Sequence, residues 1–425
     1  MSRPLAVLGS TGSIGEQTLQ VAEREPARLR VVALAAGRSL ERLCEQAARW
    51  RPRWVALEHA ADAAAARARL AAAAPGADVE VGEGAAARLA ERCDAPLVVN
   101  GIVGAAGLAA SLATLERGAR LALANKETLV IGGDLVARLL KRPANDNARG
   151  GEAESARARR AVGEALSMTA EGEALSKTER SHRGVAEVLP IDSEHSAALQ
   201  CLQGRPASEV AKLTLTASGG PLRRHPDWRR ATPAEVLAHP VWAMGPRITT
   251  DSATLFNKGL ELIEARALFG LDWEQLDAVI HPRAVLHAIA AFRDGSLVAQ
   301  AAQADMRLPI QLALSWPERW GEAVAPLPAT ALAGLELSPL ERGCHPAFDC
   351  ALAAGRAGGT APCAVNAADE VAVAAFLAGA IPLGRVPEVL EEVLDAHVVE
   401  RVESFAQLQA VDARAREAAR RAVAA

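Results

Sequence analysis

The segment Gly9-Ser10-Thr11-Gly12-Ser13-Ile14-Gly15 restricts this chain more than any other. It follows an apolar run, Leu5–Gly9, and opens a helical pattern over Ser13–Glu23 in which Ile14, Thr18, Val21 and Ala22 share a face. Glycines at such a strand-to-helix turn let backbone N–H groups approach a pyrophosphate, whose charge the helix N-terminus favours. Glycine-rich loops are common, so the placement between strand and amphipathic helix carries the weight. The next expected strand, Leu29–Ala35, runs into Ala36-Gly37-Arg38-Ser39. NAD-binding folds usually place an acid there for the ribose 2′-hydroxyl. Arg38 and Ser39 instead suit a 2′-phosphate, which points to NADPH; the alternative is that they merely start the next helix, with Ser39 as its cap.

The pattern continues to about residue 141. Apolar runs at Trp54–Leu57, Leu97–Asn100 and Arg120–Asn125 alternate with helical segments, the alanine-rich Ala60–Ala74 among them. Strands separated by helices imply right-handed crossovers and a parallel sheet covered on both faces, a Rossmann-like doubly wound α/β domain. Residues 142–182 break this pattern. They are polar and of mixed charge, with apolar bulk only at Val162, Leu166, Met168 and Leu175. Such a segment buries too little to offset its ordering entropy and reads as an exposed, partly helical or disordered insertion.

A second unit is expected from Val185, with a strand at Lys212–Ala217 and a helix announced by the capping box Thr232-Pro233-Ala234-Glu235. Ala284–Phe292 and Leu297–Ala302 flank Arg293-Asp294-Gly295-Ser296 and read as a β-hairpin. Helical patterns at Ala367–Leu377, Val386–Val398 and Phe405–Val423 form a small C-terminal helical domain. A chain of 425 residues exceeds one core. The expected division is a cofactor domain over 1–184 that includes the insertion, a central α+β catalytic domain with a lid over 185–325, and a linker with the helical domain over 326–425.

Composition narrows the partners. A net charge of −4 gives no reason to expect nucleic acid or an anionic membrane surface, and no apolar stretch approaches the ~20 residues needed to span a bilayer. The six cysteines are scattered without a C-x-x-C pair, which fits reduced, mostly buried thiols in a cytoplasmic protein.

Several downstream segments carry chemistry. Asp192-Ser193-Glu194 places two carboxylates on one side of an extended backbone, oxygen ligands that suit Mg²⁺ or Mn²⁺. Glu261 is a candidate third ligand. Taken alone, such a pair is more often a solvated strand end. Asn257-Lys258 before Gly259, with Ser252 upstream, suits a phosphate, although an isolated Asn-Lys-Gly is usually a turn. Ser218-Gly219-Gly220 offers a hydroxyl and backbone N–H groups to an anion. His239-Pro240-Val241-Trp242-Ala243-Met244-Gly245 has the composition of a lid that excludes water, or of ordinary Trp–Met packing.

In this order, these segments closely resemble the 1-deoxy-D-xylulose 5-phosphate reductoisomerases, NADPH- and metal-dependent enzymes of non-mevalonate isoprenoid biosynthesis. The resemblance runs through Gly9–Gly15, Leu123-Ala124-Asn125-Lys126-Glu127, Pro190–Ser196, Ser218–Pro221, His239–Gly245, Asp251–Glu264 and Asp305-Met306-Arg307. It implies that Thr11, Gly12, Ser13 and Ile14 hold the cofactor pyrophosphate, and that Gly37, Arg38 and Ser39 surround its 2′-phosphate. Asn125, Glu127 and Gly245 fall on the nicotinamide side. The same resemblance makes Asp192, Glu194 and Glu261 metal ligands, and Ser218, Ser252, Asn257 and Lys258 contacts of the substrate phosphate and neighbouring hydroxyls. Lys126, Ser193 and His239 fall at the reacting end, beneath a lid carrying Trp242 and Met244. A phosphorylated sugar substrate and a homodimer are implied as well. Two departures stand out: Val241 replaces a usually polar residue, and the stretch 142–182 lengthens the connection from Lys126 to Asp192. The competing functions are another NADP-dependent oxidoreductase of a phosphorylated carbonyl compound, with no need of a metal, and an NADPH-binding homologue impaired in catalysis.

Overall fold

The computed structural model describes residues 2–141, 186–242, 244–341 and 343–425, so the insertion lies outside the described residues. The chain divides into two compact units, and not at the expected boundaries. One comprises residues 1–128, 136–196 and 305–325; the other comprises 129–135, 197–304 and 326–425.

The first unit is built on a seven-stranded sheet. Its strands are β1 (Arg3–Leu8), β2 (Leu29–Ala36), β3 (Trp54–Leu57), β4 (Asp78–Val81), β5 (Leu97–Asn100), β6 (Arg120–Leu123) and β7 (Glu187–Pro190). Every pairing is parallel, in the order β4-β3-β2-β1-β5-β6-β7. Central strands such as Trp-Val-Ala-Leu of β3 and Leu-Val-Val-Asn of β5 are buried along their length, as helices on both faces require. The expected doubly wound domain is therefore present. Edge strand β4, Asp-Val-Glu-Val, is not among the strands expected from sequence; only its two valines are buried, so its apolar signal is half that of its neighbours.

The helices of this unit include α1 (Ser13–Arg24), α2 (Leu40–Trp50), α3 (Ala63–Ala73), α4 (Ala85–Arg92), α5 (Gly107–Glu116) and the two ends of α6 (Glu127–Leu140), whose residues 129–135 count with the other unit. Strand order reverses between β1 and β5, a switch point outside whose carboxyl ends ligands bind in open α/β sheets. The segment expected to begin the second unit instead supplies β7, whose Glu187–Pro190 pairs with Arg120–Leu123 of β6.

The second unit holds a five-stranded mixed sheet in the order β11-β10-β8-β9-β12. It is formed by β8 (Val210–Ala217), β9 (Leu276–Ile280), β10 (Leu286–Phe292), β11 (Leu297–Ala301) and β12 (Ser338–Pro339). The expected hairpin is β10–β11. Helix α7 (Ser193–Leu202) precedes β8, and α8 (Pro233–Leu237) carries the expected capping box. Next come α9 (Pro246–Ala253) and α10 (Phe256–Phe269). Helix α11 (Arg307–Ser315) belongs to the first unit, where Arg3 and Arg120 donate to the carbonyls of Leu314 and Trp316 at 3.1 and 2.8 Å. The C-terminal helices are α12 (Pro346–Ala357), α13 (Ala361–Leu377), α14 (Arg385–Ala396) and α15 (Phe405–Ala424). Among the described residues no helix is long and apolar enough to cross a membrane. Cys93, Cys201, Cys350 and Cys363 are buried free thiols.

Candidate active site

In the first unit, the glycine turn leaves β1 at the switch point. Gly9 has φ +79°, and a Cβ there would stand 2.8 Å from the Gly101 carbonyl. A Cβ on Gly15 would collide with the carbonyl of Gly9 and the backbone of Ser10. The turn is pinned by Gly9 and Ser10 N–H groups, which both donate to the Ala35 carbonyl at 2.8 Å. Gly12 caps α1 without a side-chain hydrogen bond, which leaves the first N–H groups of the helix for an anion. Beneath the turn, buried Ser10 donates to Gln46 Oε1 at 2.7 Å, and Gln46 donates back to the Ser10 carbonyl at 2.9 Å. Since Gln46 lies on α2, the turn is tied to the helix that Gly37, Arg38 and Ser39 precede. Gly37, Arg38 and Ser39 are all exposed, and the Ser39 hydroxyl makes no capping bond to α2.

Beyond β6 the Asn125 side chain is committed to the scaffold. It donates to the carbonyls of Ile102 and Gly104 at 2.7 and 2.8 Å and to Glu127 at 2.9 Å, while its oxygen accepts from Thr128. Lys126 is buried, with its ammonium 3.0 Å from Asp192 Oδ2.

Here the local geometry differs from the extended backbone expected around Asp192. That residue is the N-cap of α7: its Oδ1 accepts from the N–H groups of Glu194 and His195, at 3.1 and 3.3 Å, and its carbonyl accepts from Ser196. A short acceptor side chain after Pro190 and Ile191 satisfies the free N–H groups of a starting helix better than strand geometry would. Glu194 consequently lies in the first helical turn, where Ser193 donates to it at 2.9 Å. His195, not singled out from sequence, is fully buried with Nδ1 3.1 Å from Asp192 Oδ1. A lone histidine after a glutamate carries no spacing signal, which is why it escapes a sequence reading.

In the second unit, Ser218 directly succeeds β8 and its hydroxyl accepts from Gly220 N–H at 3.2 Å. Gly220 has φ +64°, and a Cβ there would lie 2.8 Å from Ala253 Cα, so only glycine lets this turn sit against the end of α9. His239 connects three expected pieces. Its Nδ1 accepts from Val241 and Trp242 N–H at 3.2 and 2.9 Å. That assigns the proton to Nε2, which lies 3.1 Å from Ser218 Oγ and 3.4 Å from Ser252 Oγ. Burial lowers the His239 pKa, so the neutral ring is the resting form. Trp242 and Met244 are half-buried, and the Trp242 ring lies 6.4 Å from that of His287, a buried residue that sequence reasoning also missed. Gly245 is exposed and caps α9. Leu255, at φ +60°, breaks the chain between α9 and α10. On α10, Asn257 donates to Glu261 Oε1 at 2.5 Å and Lys258 pairs with its Oε2. Lys258 and Glu261 are both buried. The Glu261 carboxylate therefore sits between the Asn257 amide and the Lys258 ammonium.

His239 supports a pH prediction. Its folded pKa lies below the unfolded value, so the unfolded chain takes up the proton first and the contribution to stability is lost as pH falls below ~6.5. Protonation also removes the Nδ1 acceptor that holds the Val241 and Trp242 N–H groups. The wild-type KM should rise on the acid side of the profile. In His239→Asn the amide oxygen can accept the same N–H groups, so KM should be about tenfold higher at neutral pH, for the loss of one polar contact, and flat on the acid side. A pH profile of KM checks both.

Three family models match this chain: 1-deoxy-D-xylulose 5-phosphate reductoisomerase over residues 5–133, its C-terminal domain over 188–269, and the DXP reductoisomerase C-terminal domain over 302–418. The reductoisomerase of Moorella thermoacetica is 44% identical over 98% of this chain and 97% of its own length. The chain belongs to this family. That of Anaeromyxobacter dehalogenans is also 44% identical, over 99% of this chain and 97% of its own. Among solved structures, the Zymomonas mobilis reductoisomerase in complex with NADPH has a TM-score of 0.83 at 31% identity and covers 100% of this chain and 99% of its own. A DOX-P reductoisomerase in complex with NADPH, fosmidomycin and magnesium has a TM-score of 0.84 at 32% identity, covering 99% of this chain and 98% of its own.

Proposed function

We propose that this chain converts 1-deoxy-D-xylulose 5-phosphate to 2-C-methyl-D-erythritol 4-phosphate with NADPH and a divalent cation, Mg²⁺ or Mn²⁺. The observation that carries it lies in the first unit. A glycine turn at the β1/β5 switch point and an ion pair of buried Lys126 with Asp192 after β6 and β7 belong to one sheet. Both fit the groups assigned to them. A Cβ at Gly9 or Gly15 would strike neighbouring backbone, so glycine lets the turn close tightly under the uncapped N-terminus of α1, where a pyrophosphate fits, and Asp192, Glu194 and Glu261 offer only oxygen donors, as hard divalent cations prefer.

When bound, the cation supplies Lewis-acid polarisation of substrate oxygens and NADPH supplies the hydride. The protein's own groups do the rest. Asp192, Glu194 and Glu261 hold the cation. Lys126, its ammonium fixed by Asp192, faces the enolate charge that develops as the C–C bond next to the carbonyl breaks and reforms, and can deliver a proton there. Ser218, Ser252, Asn257 and Lys258 anchor the phosphate, remote binding energy that keeps the rearranged aldehyde in place for reduction. Ser193 and the His239 Nε2–H orient substrate hydroxyls, while Trp242 and Met244 exclude water. Thr11, Gly12, Ser13 and Ile14 cradle the pyrophosphate, Gly37, Arg38 and Ser39 the 2′-phosphate, and Asn125, Glu127 and Gly245 border the nicotinamide.

The test is the carbon skeleton of the product. NMR of the phosphorylated product should show a branched polyol; an unbranched deoxy sugar alcohol would mean simple reduction, and NADPH binding without product would mean an impaired homologue. For the cofactor, Arg38→Asp should lower the preference for NADPH over NADH by about a hundredfold, as charge reversal beside a phosphate does. An unchanged ratio of kcat/KM values would remove Arg38 from the site.

The protein is, in the same proposal, a cytoplasmic homodimer. Its buried free thiols fit a reducing compartment. Edge strand β11 leaves Leu297 and Val298 70% and 38% exposed, an apolar edge that pairing with a second copy would cover. Val298→Lys should shift the light-scattering mass from twice the chain mass to once; a monomeric wild type would end this part of the proposal.

A further inference from the structure

Arg247 stands in the first turn of α9, between the lid segment and Ser252. A guanidinium there faces the positive end of the helix dipole, and a helix of 8 residues is not stable alone. Groups outside the helix must offset both effects, and they come from α13. One terminal nitrogen of Arg247 donates to Glu370 Oε1 at 2.9 Å. The other donates to Asn366 Oδ1 at 2.9 Å and to Asp369 Oδ2 at 3.3 Å. Its Nε lies 3.6 Å from Asp251 Oδ2 on its own helix. Arg416 of α15 holds the second oxygen of Glu370 at 2.6 Å and pairs with Asp412, so the acceptor is itself fixed.

The cluster is a poor device for stability alone. Asp369 and Asn366 are fully buried, and Asp369 Oδ1 has no hydrogen-bond partner among the described residues. Buried ion pairs seldom outperform apolar packing, and their best-attested use is to fix one arrangement. The other end of α9 is fixed as well, where the Gly220 turn would clash with Ser252 and Ala253 if it carried a Cβ.

We propose that Arg247, gripped by Asn366, Asp369 and Glu370, is a clasp through which the C-terminal helices position α9, and with it Ser252 and the Gly245 end of the lid, before substrate arrives. The inference rests on the substrate-binding role given above to Ser252 and the lid. These are positioning residues: an anchored α9 spares substrate the entropy of ordering it. Without the clasp that ordering falls on binding, while the closed complex reacts as before.

The test uses the full chain with Arg247→Met, Arg247→Lys and Glu370→Gln. KM for 1-deoxy-D-xylulose 5-phosphate should rise about tenfold in Arg247→Met and less in Arg247→Lys, which keeps the charge but loses the fork, with kcat held within about threefold. Chymotrypsin should cut after Trp242 about tenfold faster in the substrate-free variants, a measure of lid order independent of turnover. A lower melting temperature with unchanged KM and unchanged cleavage would overturn the clasp and leave a merely structural cluster. Should Arg247→Met not fold, Arg247→Lys and Glu370→Gln carry the same comparison. A wild type that does not turn over this substrate would count against the assigned function alone, and the cleavage rates would still decide the clasp.

Discussion

Asp192→Asn should lower kcat by roughly 10²–10³-fold, the scale on which losing one aligned charge in an active site is felt. The carboxylate does three things at once. It is a proposed metal ligand, it holds the buried Lys126 ammonium at 3.0 Å, and it caps α7, whose first turn carries Glu194. Asparagine keeps an acceptor for the cap but cancels the charge facing Lys126. The fold should survive with ~1–3 kcal/mol less stability, the cost of a weakened buried charge-assisted bond. Urea unfolding measures that loss, and NADPH titration should show the cofactor still bound. If kcat fell no more than the folded fraction, Asp192 would be a helix cap and nothing else.

The second large effect concerns the cradle. Gly15→Ala puts a methyl group against the Gly9 carbonyl and the Ser10 backbone, where no side-chain rotation can relieve it. The turn must move, and it carries the N–H groups meant for the pyrophosphate. Overpacking of this kind costs ~1–3 kcal/mol and occasionally more. If that cost falls on binding, NADPH affinity drops by about a hundredfold. Fluorescence titration of NADPH reads this directly. An unchanged Kd would mean that the cofactor does not use the turn, however well the motif fits.

The two predictions differ in how far the sequence foretells them. The glycine turn is legible because its signal is local: glycines between a buried strand and an amphipathic helix mark a tight strand-to-helix turn. Five strands of the all-parallel sheet are legible for the same reason; the exceptions are β7 and β4, whose two charged residues hide its two buried valines. Asp192 is legible as a candidate ligand but not as backbone. Its oxygen satisfies helix N–H groups, and whether such a residue ends a strand or caps a helix depends on how the residues after Ser193 pack. The division of the chain is less legible still. Residues 187–190 join the first sheet as β7, and α11 joins the first unit far along the chain. Both placements depend on long-range pairing that no local pattern records. His195, His287 and Arg247 share this limit, since a single polar residue gains meaning only from the partners the fold brings to it.

The most direct test of the assigned chemistry follows NADPH oxidation and product formation together, as Mg²⁺ is titrated into metal-stripped enzyme with 1-deoxy-D-xylulose 5-phosphate. The expected result is one NADPH consumed per 2-C-methyl-D-erythritol 4-phosphate formed, no turnover without the cation, and a far higher metal requirement in Glu194→Gln and Glu261→Gln. Product formed at an undiminished rate in the presence of chelator, or an unaltered metal requirement in both variants, would contradict it.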